Sequence, residues 1–382
     1  MYVASAWGAH FHCVDGIDHI DFCLGDSAAL AGHAPAAVVS AMSGQLEHGA
    51  TFTLPTRRAS QAGDLLADRF GLSHWQFAVS ASAAVREVVW IARHVTRRRG
   101  IVVHEHGPHA DEVPDAIPVP FNDIQAMRAV LQTGEVAAVI AEPALTCAGL
   151  VVPEPGYLDA IASGCSAADV ILVIDERHTA AAGARGYARQ HGLAPDVLIL
   201  GDSVGGGAPT GILGMSQGLA ERVRDSMRGG PGGGGGLDRV WTGETGEFDG
   251  GTGGSALSVT GVVATLGEVL TERAYESMIA RAAEWADGVR SAIDEFSAPW
   301  HVTQLGSLVG YGFRDAPPRD GRQAAEARDP ELERYLRLHA INRGILLSPT
   351  RGTALMSPAT TSDDVARHTI AFREALASLY GS

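Results

Sequence analysis

Histidines and carboxylates recur in this chain at places where they could meet. His104, His106 and His109 stand close together and are followed by Asp111 and Glu112. Glu142, Asp175, His178 and Asp202 each fall at or just past the end of an apolar run. Imidazoles and carboxylates in such a mix take and give protons near neutral pH. A His-X-His pair on a strand would set both rings on one face, because side chains alternate, and zinc or iron(II) favours such clusters with a carboxylate. Gly107 and Pro108 interrupt that pattern, so the loop histidines read better as an acid, a base or a stacking ring, and no metal is assigned. One chemistry is closed. The 29 residues counted as Lys plus Arg are all arginine, and the chain holds no lysine. A bias toward Arg, Ala and Gly fits a GC-rich coding sequence, but the consequence stands: only an amine condenses with a carbonyl, so no side chain here can form a Schiff base. No Ser-His-Asp triad, P-loop or dinucleotide fingerprint is present, and Gly205-Gly206-Gly207 reads as a tight turn.

The elements that would position these groups follow from hydrophobic patterning. Short apolar runs at 76–80, 101–104, 136–141, 170–175, 197–200 and 212–215 read as strands, and 83–94 reads as a helix. Near-continuous apolar strands separated by helices imply a parallel sheet covered on both faces. Ligands of such sheets bind at the carboxyl ends of the strands. Those ends carry Ser80, His104, Glu142, Asp175 and Gly201-Asp202. A glycine-dominated stretch spans 229–255 and reads either as a linker or as a loop beside a site. Helices are expected at 256–270, 272–296, 330–342 and 362–379, with a strand-like segment at 302–313. Ser362 is the expected cap of the last helix, and Asp363 and Asp364 suit its positive end.

Composition narrows the class. A chain of 382 residues, 46% hydrophobic and 19% charged, is neither disordered nor fibrous. No apolar run reaches the ~18 residues of a membrane span. The opening residues lack the basic start and apolar stretch of a secretory signal, and four scattered cysteines make neither a disulfide framework nor a zinc site. A cytoplasmic protein acting on a small molecule is expected. A formal charge of −15 argues against nucleic acid as a partner.

Several ordered motifs resemble one family. Gly8-Ala9, Val14-Asp15-Gly16, His19-Ile20-Asp21-Phe22 and Gly32-His33-Ala34-Pro35 are similar to the opening of class III aminotransferases, and within them to glutamate-1-semialdehyde aminomutases. The segment Phe77–Ala84, then Phe121-Asn122-Asp123, Glu142-Pro143, Asp175-Glu176 and 196–211 resemble further family segments in the same order. The resemblance implies an α/β, type I pyridoxal-phosphate (PLP) transferase-like fold. Its large domain, residues 41–265, would hold a mostly parallel sheet. A smaller α/β domain would come from both chain ends, residues 1–40 and 266–382, and the protein would be a homodimer. The apolar helix at 256–270 also needs a surface to cover it. By the same resemblance Asp175 would pair with the cofactor's pyridinium nitrogen. Ser80, Ala81 and Ser82 would cradle its phosphate, and Thr252 would reach the phosphate of the partner subunit.

The departures matter as much. The family's Schiff-base lysine falls on Asp202, in a register fixed by Gly201 and Gly205–Gly207. The loop His104–His109 lacks the aromatic residue that stacks on the cofactor ring. Asp175 therefore has a plainer alternative, an acid paired with Arg177 or with backbone amides. Three readings follow. The first is acid–base chemistry on a small metabolite with no covalent PLP, carried by Asp202, His106, His109 and His178. The second is non-covalent use of PLP or pyridoxamine phosphate (PMP), as an aminomutase or aminotransferase-like enzyme. The third is a non-catalytic binding protein.

Overall fold

The computed structural model describes residues 1–52, 54–228, 254–348 and 352–381. Its largest sheet has seven strands. In spatial order they are His74–Ala78, Gly211–Met215, Val197–Leu200, Ile171–Asp175, Val136–Ala141, Gly100–His104 and Ile117–Val119. Gly211–Met215 runs antiparallel to both neighbours, and the remaining pairs are parallel. The central strands Val136–Ala141, Ile171–Asp175 and Val197–Leu200 are buried along their whole length. That is why they read as unbroken apolar runs rather than alternating ones. Along Gly100–His104 the two faces separate cleanly. Ile101 and Val103 join one core cluster with Val88 and Ile91, while Val102 joins another with Leu66, Met127 and Tyr157.

The two chain ends meet in smaller sheets. Val3–Trp7, His10–Cys13 and Asp18–Asp21 form a meander that Ile345–Leu346 extends in parallel. His301–Leu305, Leu308–Gly312 and Thr353–Leu355 form a second, antiparallel sheet. A third core cluster joins Trp285 and Met278 of helix Glu272–Glu295 with Phe372 and Leu376 of helix Ser362–Tyr380.

Three local expectations change. The segment 302–313 is a hairpin rather than one strand, because Gly306 turns the chain at φ +58°. The helix expected at 256–270 is α-helical over Ala256–Ala264 and closes in a π-turn, Thr265–Val269. Its apolar face is already buried, with Val259, Val262 and Leu266 joining the core cluster of Leu66 and Phe70. The last helix is capped by Thr361, not Ser362. Thr361 Oγ1 accepts the Asp364 backbone N–H, and the Asp364 side chain accepts the Thr361 backbone N–H. Such a reciprocal pair satisfies two otherwise orphaned donors, which a lone Ser362 could not. The stretch 229–253 lies outside the described residues. Among the described residues no helix is long and apolar enough to cross a membrane.

Candidate active site

Asp175 closes the strand Ile171–Asp175 and is fully buried. Its Oδ1 accepts the backbone N–H of Arg177 at 2.8 Å. Its Oδ2 accepts Arg177 Nε at 2.8 Å and lies 3.1 Å from His109 Nε2. The far side of the guanidinium donates Nη1 and Nη2 to the two oxygens of Glu112, at 2.9 and 3.0 Å. Glu112 Oε2 is 3.1 Å from His109 Nδ1, and Glu112 Oε1 accepts the Ser82 hydroxyl at 2.6 Å. Asp175, Arg177, Glu112 and His109 thus form a closed ring of alternating charge.

The electrostatics agree with the geometry. Burial works against charge on His109, but Asp175 and Glu112 at its two nitrogens, with the charge of Glu142 nearby, outweigh it and hold the imidazole at about 9. Burial would raise both carboxyls, yet His109 and Arg177 hold Asp175 low, and the same two with Ser82 hold Glu112 well below the usual carboxylate range. Arg177 loses hydration by burial, and the Asp175 and Glu112 charges still push it up. At neutral pH the ring carries two positive and two negative charges.

Beside this ring lies an open cleft of about 360 Å³ at the strand ends, lined by Ser27, Ser80, Ala81, Ser82, Arg177, His178 and Asp202 among others. Asp202 opens a short 3-10 turn, Asp202–Val204, and its Oδ1 accepts the Thr210 backbone N–H at 2.7 Å. The carboxylate is thereby tied across the Gly205–Gly207 turn. His178 Nδ1 lies 3.1 Å from Ser27 Oγ, whose hydroxyl also donates to the Arg177 carbonyl at 3.3 Å. Ser80 Oγ accepts the Ala83 N–H and starts helix Ala81–Thr96.

The structure therefore brings Asp202, His178, Ser80, Ala81 and Ser82 to one cleft; Asp175 and His109 do not line it, being buried beyond Arg177, which does. His106 is not part of it. The strand stops at His104, His106 turns outward at φ +58°, and its ring is exposed. The His-X-His pair consequently shares no face. His104 is buried against Phe121 and its Nε2 lies 3.1 Å from the Tyr157 hydroxyl; burial, then the charge of His109, pushes it down to about 3. Among the described residues no group of three or more His, Cys, Asp or Glu is arranged to hold a metal ion. Thr252 lies outside the described residues. Glu112 and Arg177 carry more of the site than their sequence context conveys. Only the arginine following the Asp-Glu pair hinted at it.

The cofactor implied by the resemblance does not fit these residues as they stand. Both oxygens of Asp175 are engaged, the Ser82 hydroxyl is donated to Glu112, and no lysine exists to form an imine.

Comparison with known proteins gives a consistent placement. Residues 109–238 match the family model for aminotransferase class-III. The chain is 30% identical to a glutamate-1-semialdehyde 2,1-aminomutase of Sorangium cellulosum, over 99% of this chain and 89% of that protein. A crystal structure of a glutamate-1-semialdehyde aminomutase from Pseudomonas aeruginosa PAO1 aligns with a TM-score of 0.93 at 37% identity, covering 99% of this chain and 88% of the other. A variant of that aminomutase with a lysine replaced by alanine, solved in complex with PMP, aligns equally well.

Proposed function

The chain belongs to the class III aminotransferase family, and on that premise we propose that it is an enzyme that moves protons on a small metabolite without forming a Schiff base. One observation carries the reading. Asp202 stands where the resemblance puts the lysine and lines the same cleft as His178. A carboxylate cannot make an imine, but beside an imidazole it can take a proton from one atom of a substrate while the imidazole serves another. The Thr210 amide holds the carboxylate in place, and Ser27 orients the imidazole. A positioned acid or base of this kind contributes about 10²–10⁴-fold in rate. The protein is proposed to work as a cytoplasmic homodimer; the four cysteines form no disulfide, which accords with a reducing compartment.

The test needs no knowledge of the natural substrate. Small amino, keto and semialdehyde acids are incubated with the protein in D₂O, with no cofactor added, and followed by proton NMR. Exchange of a C–H is expected for at least one compound, with a loss of at least about a hundredfold in Asp202→Asn. Exchange that appears only after PMP is supplied would replace this reading with the non-covalent one. That second reading has its own support, the PMP complex of the lysine-substituted aminomutase of P. aeruginosa.

A further inference from the structure

We infer that the Arg177–Glu112 bridge is a built-in occupant of the cofactor's place, and that it closes the cleft to PLP and PMP even where no covalent bond is needed. The inference rests on the family placement of the cleft, and it stands or falls separately from the proton-transfer reading.

A pyridine ring held in this fold needs an acid for its nitrogen. That acid would be Asp175, and Arg177 takes the ring nitrogen's place beside it: its backbone N–H and Nε both go to Asp175, which is fully buried. A phosphate at the start of helix Ala81–Thr96 needs a hydroxyl and a positive field. The Ser82 hydroxyl goes instead to Glu112, whose carboxylate would face an incoming phosphate with like charge. A Cβ built on Gly201, the residue before Asp202, would meet Arg177 Cβ at 3.2 Å and Ala81 Cβ at 3.5 Å. Arg177, the residue before the lost lysine's position and the start of the cradle thus stand side by side. The fork of the guanidinium matches Glu112 in a two-point contact, the strongest and most directional ion-pair geometry available to a side chain. Admitting the ligand would require that contact to open and leave a charged group poorly paired in a half-buried wall.

The experiment uses PMP rather than PLP, because the aldehyde of PLP would react with the α-amine of Met1. Equilibrium dialysis and PMP fluorescence are read on the wild type and on the double variant Glu112→Gln/Arg177→Met, with circular dichroism to check folding. The wild type is expected to show no saturable binding up to about 1 mM. The double variant takes the guanidinium away from Asp175 and the negative charge away from Ser82, and is expected to bind at least about tenfold more tightly, a gain removed by adding Ser82→Ala. If the double variant does not fold, Glu112→Gln alone carries the test, since it removes the like charge and keeps an amide within reach of Arg177. Saturable one-to-one binding of PMP to the wild type would overturn the inference. So would a folded variant that gains nothing. Neither result bears on cofactor-free C–H exchange, which tests the other proposal.

Discussion

At the scale of single residues, His109 holds a charge inside the protein because a carboxylate faces each of its nitrogens. Its folded value of about 9 lies above the ordinary imidazole value of 6.5. The stabilisation is therefore complete below about pH 6.5 and is lost as pH rises through about 9. Thermal stability should fall across that window by up to roughly 3 kcal/mol. His109→Gln should flatten the slope, and an unchanged slope in that variant would place the charge elsewhere. The ring also decides what a restored lysine could do. Asp202→Lys should leave amino transfer near background, because Asp175 remains engaged by Arg177 and His109. Efficient transamination by that single variant, measured with any amino donor and keto acceptor, would show the cofactor site intact. Sequence reading reached Asp202 and the Asp175–Arg177 pairing through register and proximity. It could not reach Glu112 as the second partner of Arg177, since the two lie far apart in the chain and only the packed strand ends join them. His106, read as a loop residue, lies outside the cleft because the chain turns there at φ +58° and leaves it exposed.

At the scale of elements, the site depends on how closely Gly211–Met215 approaches the start of helix Ala81–Thr96. A Cβ on Gly211 would lie 2.0 Å from the Ser80 carbonyl oxygen. That carbonyl also accepts the Ala84 N–H in the first turn of the helix. Gly211→Ala should thus destabilise the fold by about 1–3 kcal/mol, as overpacking does, and displace the segment that carries Ser80 and Ser82. Denaturant titration checks the first effect, and stability unchanged within a few tenths of a kcal/mol would refute it. Six of the seven strands of the large sheet were legible, the central ones because full burial leaves no polar residue to break the apolar runs; Ile117–Val119 was not, being three residues long with Pro118 inside it. The hairpin at His301–Leu305 and Leu308–Gly312 was not, because Gly306 alone signals its turn. The cap of the last helix was displaced by one residue because Thr361 and Ser362 both offer a hydroxyl, and only the distance to Asp364 decides between them.

At the scale of the whole molecule, the question is what covers the beginning of the chain. The helix Ala256–Ala264 gives no argument for a partner, being buried by its own chain. Tyr2, Trp7, Val14 and Ile17 are exposed on or beside the N-terminal meander. Val39 and Leu46 are exposed on helix Ala36–Glu47, and Phe52 and Leu54 just beyond it. Single surface apolar residues need no explanation, and this group is the exposed apolar surface that the proposed homodimer would have to cover. A second copy is the occupant that would present the same residues in return, as a two-fold interface requires. Sedimentation should therefore give a dimer at micromolar concentration. Leu46→Glu with Leu54→Glu should shift it toward monomer, by at least about tenfold in dissociation constant, with the circular dichroism of the fold unchanged. A stable wild-type monomer under the same conditions would remove the homodimer from the proposed function. The cleft itself would remain, because every residue in the charge ring, and Asp202 and His178 with them, belongs to one chain.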